Sequence, residues 1–600
     1  MDFCFRAITL IFGNINKNNL KKIQYSDYLY LPIFVIIIVL PSLFSNYINY
    51  PHNSVRFLLI SVLSIVWVIR NFRQKLNLPS KSIILLLFLF YSYNLVSIFW
   101  SLNPSNVIIE SQRVGIGIIL IIIFSTILKK EINYNSFLKS YVLFSLLLIL
   151  SISYDLLNIN EVSLNGLYEI NSFFIHKNIL ASFIFLSLGI TSLSILKLKD
   201  KWKLFSIIIS ILLGIILLIL FNRATYLALF GSVFTFLLLQ TKKKTRKRVI
   251  IITLLFLIGL TSFYTYKSIK TVNHLSIINS FDERVKVWKN TIDMVKEKPI
   301  LGVGSGNWQY NFLKYSVSNI QKIVHNNTSF QKPHNDYLWI LSELGIIGFT
   351  LVLVIVIYLF KPTLKPILKE RNIELSIVFS FIIGLSIISF FSFPKERMAH
   401  ICLTAILIAI VLLKTKSTFQ NKYDLVSKYI IITILGFNLI ISFFVIKGQY
   451  YTTLMLQEKQ NNNPTNVIKY GEKSISVFYN TDETSTPISS YIGWASLMIN
   501  DNPKLNYHTS NAYRLSPYDF EVLSNYAMVL IRNKQLTEAK TILIEAHKIN
   551  PYSEQVLINL FIVEYNSGNY EKAYNYLIKI KSYKSDYPME TKRITEKLNS

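Results

Sequence analysis

Cysteine is nearly absent. Cys4 lies near the start and Cys402 inside an apolar run, so neither a disulfide framework nor a cysteine metal site is readable. Charge is scarce, at 16% of the chain against ~25% in soluble proteins, which excludes a single soluble domain. Acidic residues are fewer still, 33 against 62 Lys and Arg, for a formal net charge of +29. The first 30 residues lack a signal-peptide pattern with a small-residue cleavage site, so insertion is expected to rest on the first membrane helix. No Gly-x-x-x-x-Gly-Lys-Ser/Thr loop is present, and Gly302, Gly304 and Gly306 have no βαβ context, so nucleotide binding has no support.

Apolar runs fill most of the rest. Leu31–Leu40, Ile83–Phe90, Ile116–Phe124 and Ile207–Leu220 are apolar on nearly every face, and about 20 such residues span a bilayer. The fold class is therefore all-α, a polytopic membrane helix bundle. Thirteen spans are read, near 30–48, 56–70, 82–100, 106–127, 140–157, 178–196, 204–221, 225–240, 249–266, 336–360, 374–393, 398–413 and 428–447. Alternate loops are basic, among them Arg70/Arg73/Lys75, Lys129/Lys130, Lys197–Lys203, the 242–248 run, Lys361–Arg371 and Lys414–Lys422. Intervening loops such as Ser101–Ser105 and Asp155–Asn171 contain no Lys or Arg. The positive-inside rule accounts for this pattern, leaves no role for nucleic acid, and puts residues 1–29 in the cytoplasm. The odd number of spans puts everything after the last one outside, in the periplasm of a bacterial inner membrane.

Two polar regions interrupt the 30–447 membrane domain or follow it. The first, loop 267–335, is expected on the outer face, and loops of such length usually carry function. It holds a helical segment, Asp282–Lys298, with Val285, Trp288, Ile292 and Val295 on one stripe, ended by Pro299. The second is 448–600. Ala512/Ala546, Ala539/Ala573 and Pro517/Pro551 are each 34 residues apart, and the period resembles the tetratricopeptide repeat. The units run 486–519, 520–553 and 554–587, with Gly493 at the small position of the first and Ile580 replacing the second alanine of the third. Such repeats form concave surfaces suited to a protein partner.

The chemistry concentrates where loop 267–335 ends. His334-Asn335, nine residues, then Gly345-x-x-Gly348 resembles the signature of the O-antigen ligase and polymerase superfamily, which also holds protein O-oligosaccharyltransferases. The resemblance is clearest over residues 170–360. Phe174-Ile175-His176-Lys177-Asn178 looks like the family's His-Lys-Asn element, Asn222-Arg223-Ala224 like its outer arginine, and Arg284 to Trp288 like its loop arginine and aromatic. Leu301–Gly306 resembles its glycine turn, and Ser101-Leu102-Asn103-Pro104 is a weaker echo of a short outer loop.

The resemblance implies transfer of a glycan from undecaprenyl diphosphate to an acceptor hydroxyl, belonging to lipid A-core, a growing glycan or a protein. A histidine with an ordinary pKa near ~6.5 suits a general base, typically worth ~10²–10⁴-fold. Arginine is planar, permanently charged and bidentate toward phosphate. His334 is thus the expected base. Arg223 and Arg284, with Lys177 and His176, are expected on the donor diphosphate. Asn335 and Glu343 are supports, and Gly345 and Gly348 are close-packing points within a continuous span. Lys395 and Arg397 are phosphate contacts or interface anchors in equal measure. No metal and no cofactor are expected, since the outer loops have no Asp-x-Asp pair and His274, His325 and His334 lack ligand spacing. A transporter of the same lipid-linked glycan is the reading from another class; it would call for charged or broken helices at mid-membrane, which the sequence does not suggest.

Overall fold

The computed structural model describes residues 30–44, 51–159, 166–242, 275–315, 330–420, 423–580 and 588–599. The expected span at 249–266 and most of the 242–248 basic run lie outside them. Helices α1 (Leu31–Ile38), α2 (Pro51–Arg70), α3 (Lys81–Val96), α4 (Pro104–Ile127), α5 (Glu131–Leu157), α6 (Lys177–Lys197), α7 (Asp200–Ile219) and α8 (Arg223–Gln240) come first. Then follow α9 (Leu275–Glu297), α10 (Trp308–Phe312), α11 (Asp336–Phe360), α12 (Leu364–Leu368), α13 (Ile373–Phe391), α14 (Met398–Lys414) and α15 (Asp424–Gln460). Among the described residues, ten helices are long and apolar enough to cross a membrane, and α1 and α14 are shorter apolar helices. The chain is a multi-pass, all-α membrane protein.

One large core joins these helices. Phe137, Tyr141, Phe144, Phe183 and Phe185 are fully buried in it, and Phe34 meets Phe137 and Tyr141 edge-to-face at 5.3 and 5.1 Å. Small residues let helices approach: a Cβ on Gly384 would lie 2.3 Å from Ser232 Oγ and 2.9 Å from Ala228 O, where α13 crosses α8.

The bundle has two chemically different ends. At one end β1 (Asn77–Pro79) pairs antiparallel with β2 (Thr418–Gln420). Lys428 donates to Phe72 O at 2.6 Å, and Lys197 and Lys414 both reach Glu374, at 2.8 and 3.0 Å. Among the described residues, the basic loops around Lys197, Lys414 and Lys428 therefore gather at this end. The other end carries His334 and its neighbours. Helix α15 is 37 residues long, far beyond the expected 428–447, because its polar last third runs past the bundle to the C-terminal helices.

Those helices are α16 (Pro464–Ser474) and three successive pairs: α17 (Ile488–Met498) with α18 (Asn502–Leu515), α19 (Phe520–Arg532) with α20 (Leu536–Ile549), and α21 (Glu554–Asn566) with α22 (Tyr570–Leu577), before α23 (Pro588–Asn599). The small residues sit at contacts: Ala527, Ala539, Ala546 and Ala573 are fully buried. A Cβ on Gly493 would stand 2.7 Å from Thr509 Cγ2.

The loop helix α9 starts at Leu275, earlier than the expected Asp282. Its face buried in the protein is Val287, Asn290, Thr291 and Met294, while Val285 and Ile292 of the expected stripe are exposed.

Candidate active site

His334 stands at the turn into α11 with φ +54, a left-handed value that histidine adopts more readily than most residues. The chain before it is held from α9, where Trp288 Nε1 donates to Pro333 O at 2.8 Å. The chain after it is held by Asn335, whose Oδ1 accepts from the backbone N–H groups of Tyr337 and Leu338 at 3.0 and 3.1 Å. Asn335 is therefore the N-cap of α11. The imidazole packs edge-on to Phe393, ring centres 5.0 Å apart.

Cations surround it. Arg284 donates to Phe391 O at 3.2 Å and faces His334 electrostatically. Lys332 is ion-paired with Glu396, and Arg397 lies 3.6 Å from the same carboxylate. Lys332 Nζ is 5.6 Å from both the Phe393 and Trp339 ring centres, Arg397 Cζ is 5.1 Å from Phe393, and Lys395 Nζ stands 3.4 Å over Trp339. Burial first, then Arg284, Lys332 and Arg397, push the His334 pKa down to about 3 against the pull of Glu396. The ring is neutral at pH 7, the form a general base needs. Burial opposes ionisation of Glu396, yet Arg397, Lys332 and Arg113 hold its carboxyl well below the usual carboxylate range.

The His-Lys-Asn element comes to the same end. His176 caps α6, its Nδ1 accepting from Asn178 N at 3.0 Å, and its pKa is lowered by burial, Lys177 and Arg397. Lys177 is buried. Asn222 caps α8 through Thr225 N and donates to Asn178 Oδ1 at 2.8 Å, so the Arg223 turn is tied to this element. Gln240 bonds Ser376 while Gly384 packs on Ala228, so α8 and α13 run antiparallel and Arg223 comes to the Phe391 end. Its side chain is exposed and is not drawn into the group around His334.

The glycine turn clamps α11. Residues 208–353, which contain this turn, Arg223, Arg284 and the whole His334–Gly348 stretch, match the family model described as O-antigen ligase. The chain carries an O-antigen ligase domain. No curated protein matches the chain.

Within the O-antigen ligase domain, Gly345 corrects the expectation of a continuous span. It has φ +62 and ψ −167, which breaks α11, and the segment after Pro299 crosses through the break. Ile346 N donates to Pro299 O at 2.9 Å, and a Cβ on Gly345 would lie 2.1 Å from Ile300 O. Gly302, at φ +71, faces the Glu343 backbone as closely, at 2.4 Å. Glu343 accepts from Trp308 N at 3.1 Å through its side chain and from Gly304 N at 2.9 Å through its carbonyl, so it supports the turn. Gly348 packs on its own helix, where a Cβ would meet Leu344 Cβ at 2.2 Å, a consequence of the break.

Four charged residues near the site went unread in the sequence. Arg56 and Arg113 lie inside membrane helices, where a charge is costly and signals function, and that signal was available. Lys332 precedes His334 by two residues, and Glu396 sits between Lys395 and Arg397. Only the fold pairs the last two. Asn103, in the weakest of the echoes, is fully buried and exchanges bonds with Asn307, its N–H donating to Asn307 Oδ1 at 2.7 Å and its C=O accepting from Nδ2 at 3.1 Å. Among the described residues no group of His, Cys, Asp or Glu has the arrangement of a metal site.

Proposed function

We propose that the protein is a membrane glycosyltransferase that moves a glycan from undecaprenyl diphosphate to an acceptor hydroxyl on the periplasmic face. The O-antigen ligase domain supports the reaction class. The observation that carries the reading is a neutral histidine ringed by Arg284, Lys332 and Arg397 at the end of the bundle away from the basic loops. In the proposed step, the acceptor oxygen bonds to the anomeric carbon and gives its proton to His334. The bond from that carbon to the diphosphate breaks, and the leaving charge falls to Arg284 and Arg397, with Lys177, His176 and the exposed Arg223 at the same end of the bundle to hold the rest of the diphosphate. Binding the anionic donor among these cations offsets the repulsion that weakens His334 as a base, so the base strengthens when donor arrives.

The acceptor is lipid A-core, with a growing glycan or a protein as the variants of the same chemistry. The transporter reading gains a broken helix at Gly345. That break is filled by the chain's own Pro299–Ile300 backbone, which leaves no ion or substrate seat in it.

The test is His334→Ala in the native host, reading lipopolysaccharide ladders and glycoprotein staining together. Lost core-attached polymer indicates a ligase, a single-unit ladder a polymerase, and lost glycoprotein stain a protein transferase. Unchanged patterns in all three sink the enzymatic reading.

A further inference from the structure

Between the His334 end of the bundle and the C-terminal helices lies a cavity of about 180 Å³. One wall is the start of α2 and α4. A second is Lys332, Trp339 and Glu396. The third is the connection between α16 and α17, residues 475–487, which belongs to the C-terminal region. This connection is strapped across the bundle. Asn480 and Asn103 exchange amide bonds at 2.9 and 3.2 Å, Thr481 Oγ1 meets Tyr310 Oη at 2.9 Å, and Ser485 Oγ donates to Gln331 Oε1 at 2.6 Å.

Two features indicate what the cavity takes. Its charged lining is Glu110, Glu396, Asp482 and Glu483 against Arg113 and Lys332, so acids outnumber bases. An anion is disfavoured here, in contrast to the cationic ground around Arg284, Lys395 and Arg397. Moreover, Gln112 Nε2 and Arg113 Nε have no hydrogen-bond partner in the protein, on side chains less than a tenth exposed. Buried polar atoms seldom stay unpaired. Two donors on residues lining one small space, beside the carboxylates and amides of the same lining, match a neutral polyhydroxylated ligand, because each hydroxyl can both give and accept.

We infer that this cavity is the acceptor subsite, holding a neutral terminal sugar, with the 475–487 connection as its specificity-determining wall. The inference rests on the transferase reading above. The Lys332–Glu396 pair divides the two grounds: donor diphosphate on the cationic side, acceptor ring on the amide and carboxylate side, and His334 at the cationic edge. The C-terminal region then acts in substrate choice through a wall of the site as well as through its own helices.

Saturation-transfer NMR on the full chain in detergent tests this directly, with glucose, galactose and N-acetylglucosamine as neutral probes and glucuronate as the acidic one. At least one neutral probe should receive saturation while glucuronate does not. Gln112→Ala should cut that signal about fivefold, as for one lost hydrogen bond, and Thr481→Trp should do so by filling the space. Where Thr481→Trp lowers the melting temperature, Gln112→Ala decides, since it removes an amide nitrogen that bonds nothing. Absence of any neutral signal, an equal glucuronate signal, or indifference to Gln112→Ala overturns the subsite. If neutral sugar binds as described while His334→Ala still transfers glycan, the base assignment fails and the subsite stands.

Discussion

At the scale of residues, the informative quantity is the charge state of His334. A free imidazole near ~6.5 would lose half its base form at that pH, whereas burial and three cations hold this one at about 3. The acid limb of kcat/KM for transfer should therefore lie well below pH 6, with a flat profile from pH 6 to 8, because kcat/KM reports the free enzyme. Arg397→Gln removes one of the repelling charges and should move that limb upward, while a wild-type limb at 6.5 would contradict the assignment. The same shift bears on folding. Between about 3 and ~6.5 the unfolded chain takes up the proton more readily, so this contribution to stability falls as pH drops through that window. Arg223 allows a second test. If it grips the diphosphate bidentately, Arg223→Lys keeps the charge but should lose about tenfold or more in transfer, the equivalent of one ~1.4 kcal/mol contact. Full activity in the lysine variant would reduce Arg223 to an interface anchor.

At the scale of elements, the sequence was legible where periodicity governs. The apolar run predicts a helix over 336–360, α11 spans Asp336–Phe360, and its cap follows from Asn335. Removing that cap by Asn335→Ala should cost about 1 kcal/mol and lower the melting temperature. The break inside α11 was not legible. A glycine in an apolar run is ordinarily a packing point, and only the crossing of Pro299–Gly302 over Glu343–Ile346 demands φ +62. Gly345→Ala is expected to lose much of the folded protein, since a left-handed alanine costs on the order of 1–3 kcal/mol and its Cβ meets Ile300 O at 2.1 Å. Gly214→Ala in α7 is the contrast, with nothing within 4 Å of the added carbon. Its melting curve in detergent should match the wild type or lie slightly above it. Equal behaviour of the two variants would mean that the clamp on α11 is dispensable.

At the scale of the whole molecule, the membrane domain and the C-terminal region are one mechanical unit at the His334 end. The 34-residue period predicts a separate repeat domain for the C-terminal region, which forms three successive helix pairs. Yet residues 477–485 bond into the bundle, and their key partner is Asn103. A double-mutant cycle on Asn103→Ala and Asn480→Ala should give a coupling of about 0.5–3 kcal/mol in thermal or denaturant stability, as for residues sharing one buried network. Additive losses would show that the strap merely lies alongside.

Composition, apolar run length and loop charge by themselves determined that this chain is a helical multi-pass membrane protein, and the spacing from His334 to Gly348 marks the stretch proposed as its centre. These are local properties, encoded in a few dozen consecutive residues at a time. What only the tertiary structure decided is which side chains share that centre. Arg113, Arg284, Lys332, Glu396 and Arg397 come from four separate segments, and their mutual electrostatics depend on distances that no spacing along the chain records. Backbone crossings such as the one at Gly345, and the strap that closes the cavity, belong to the same class. They are set by packing between remote segments.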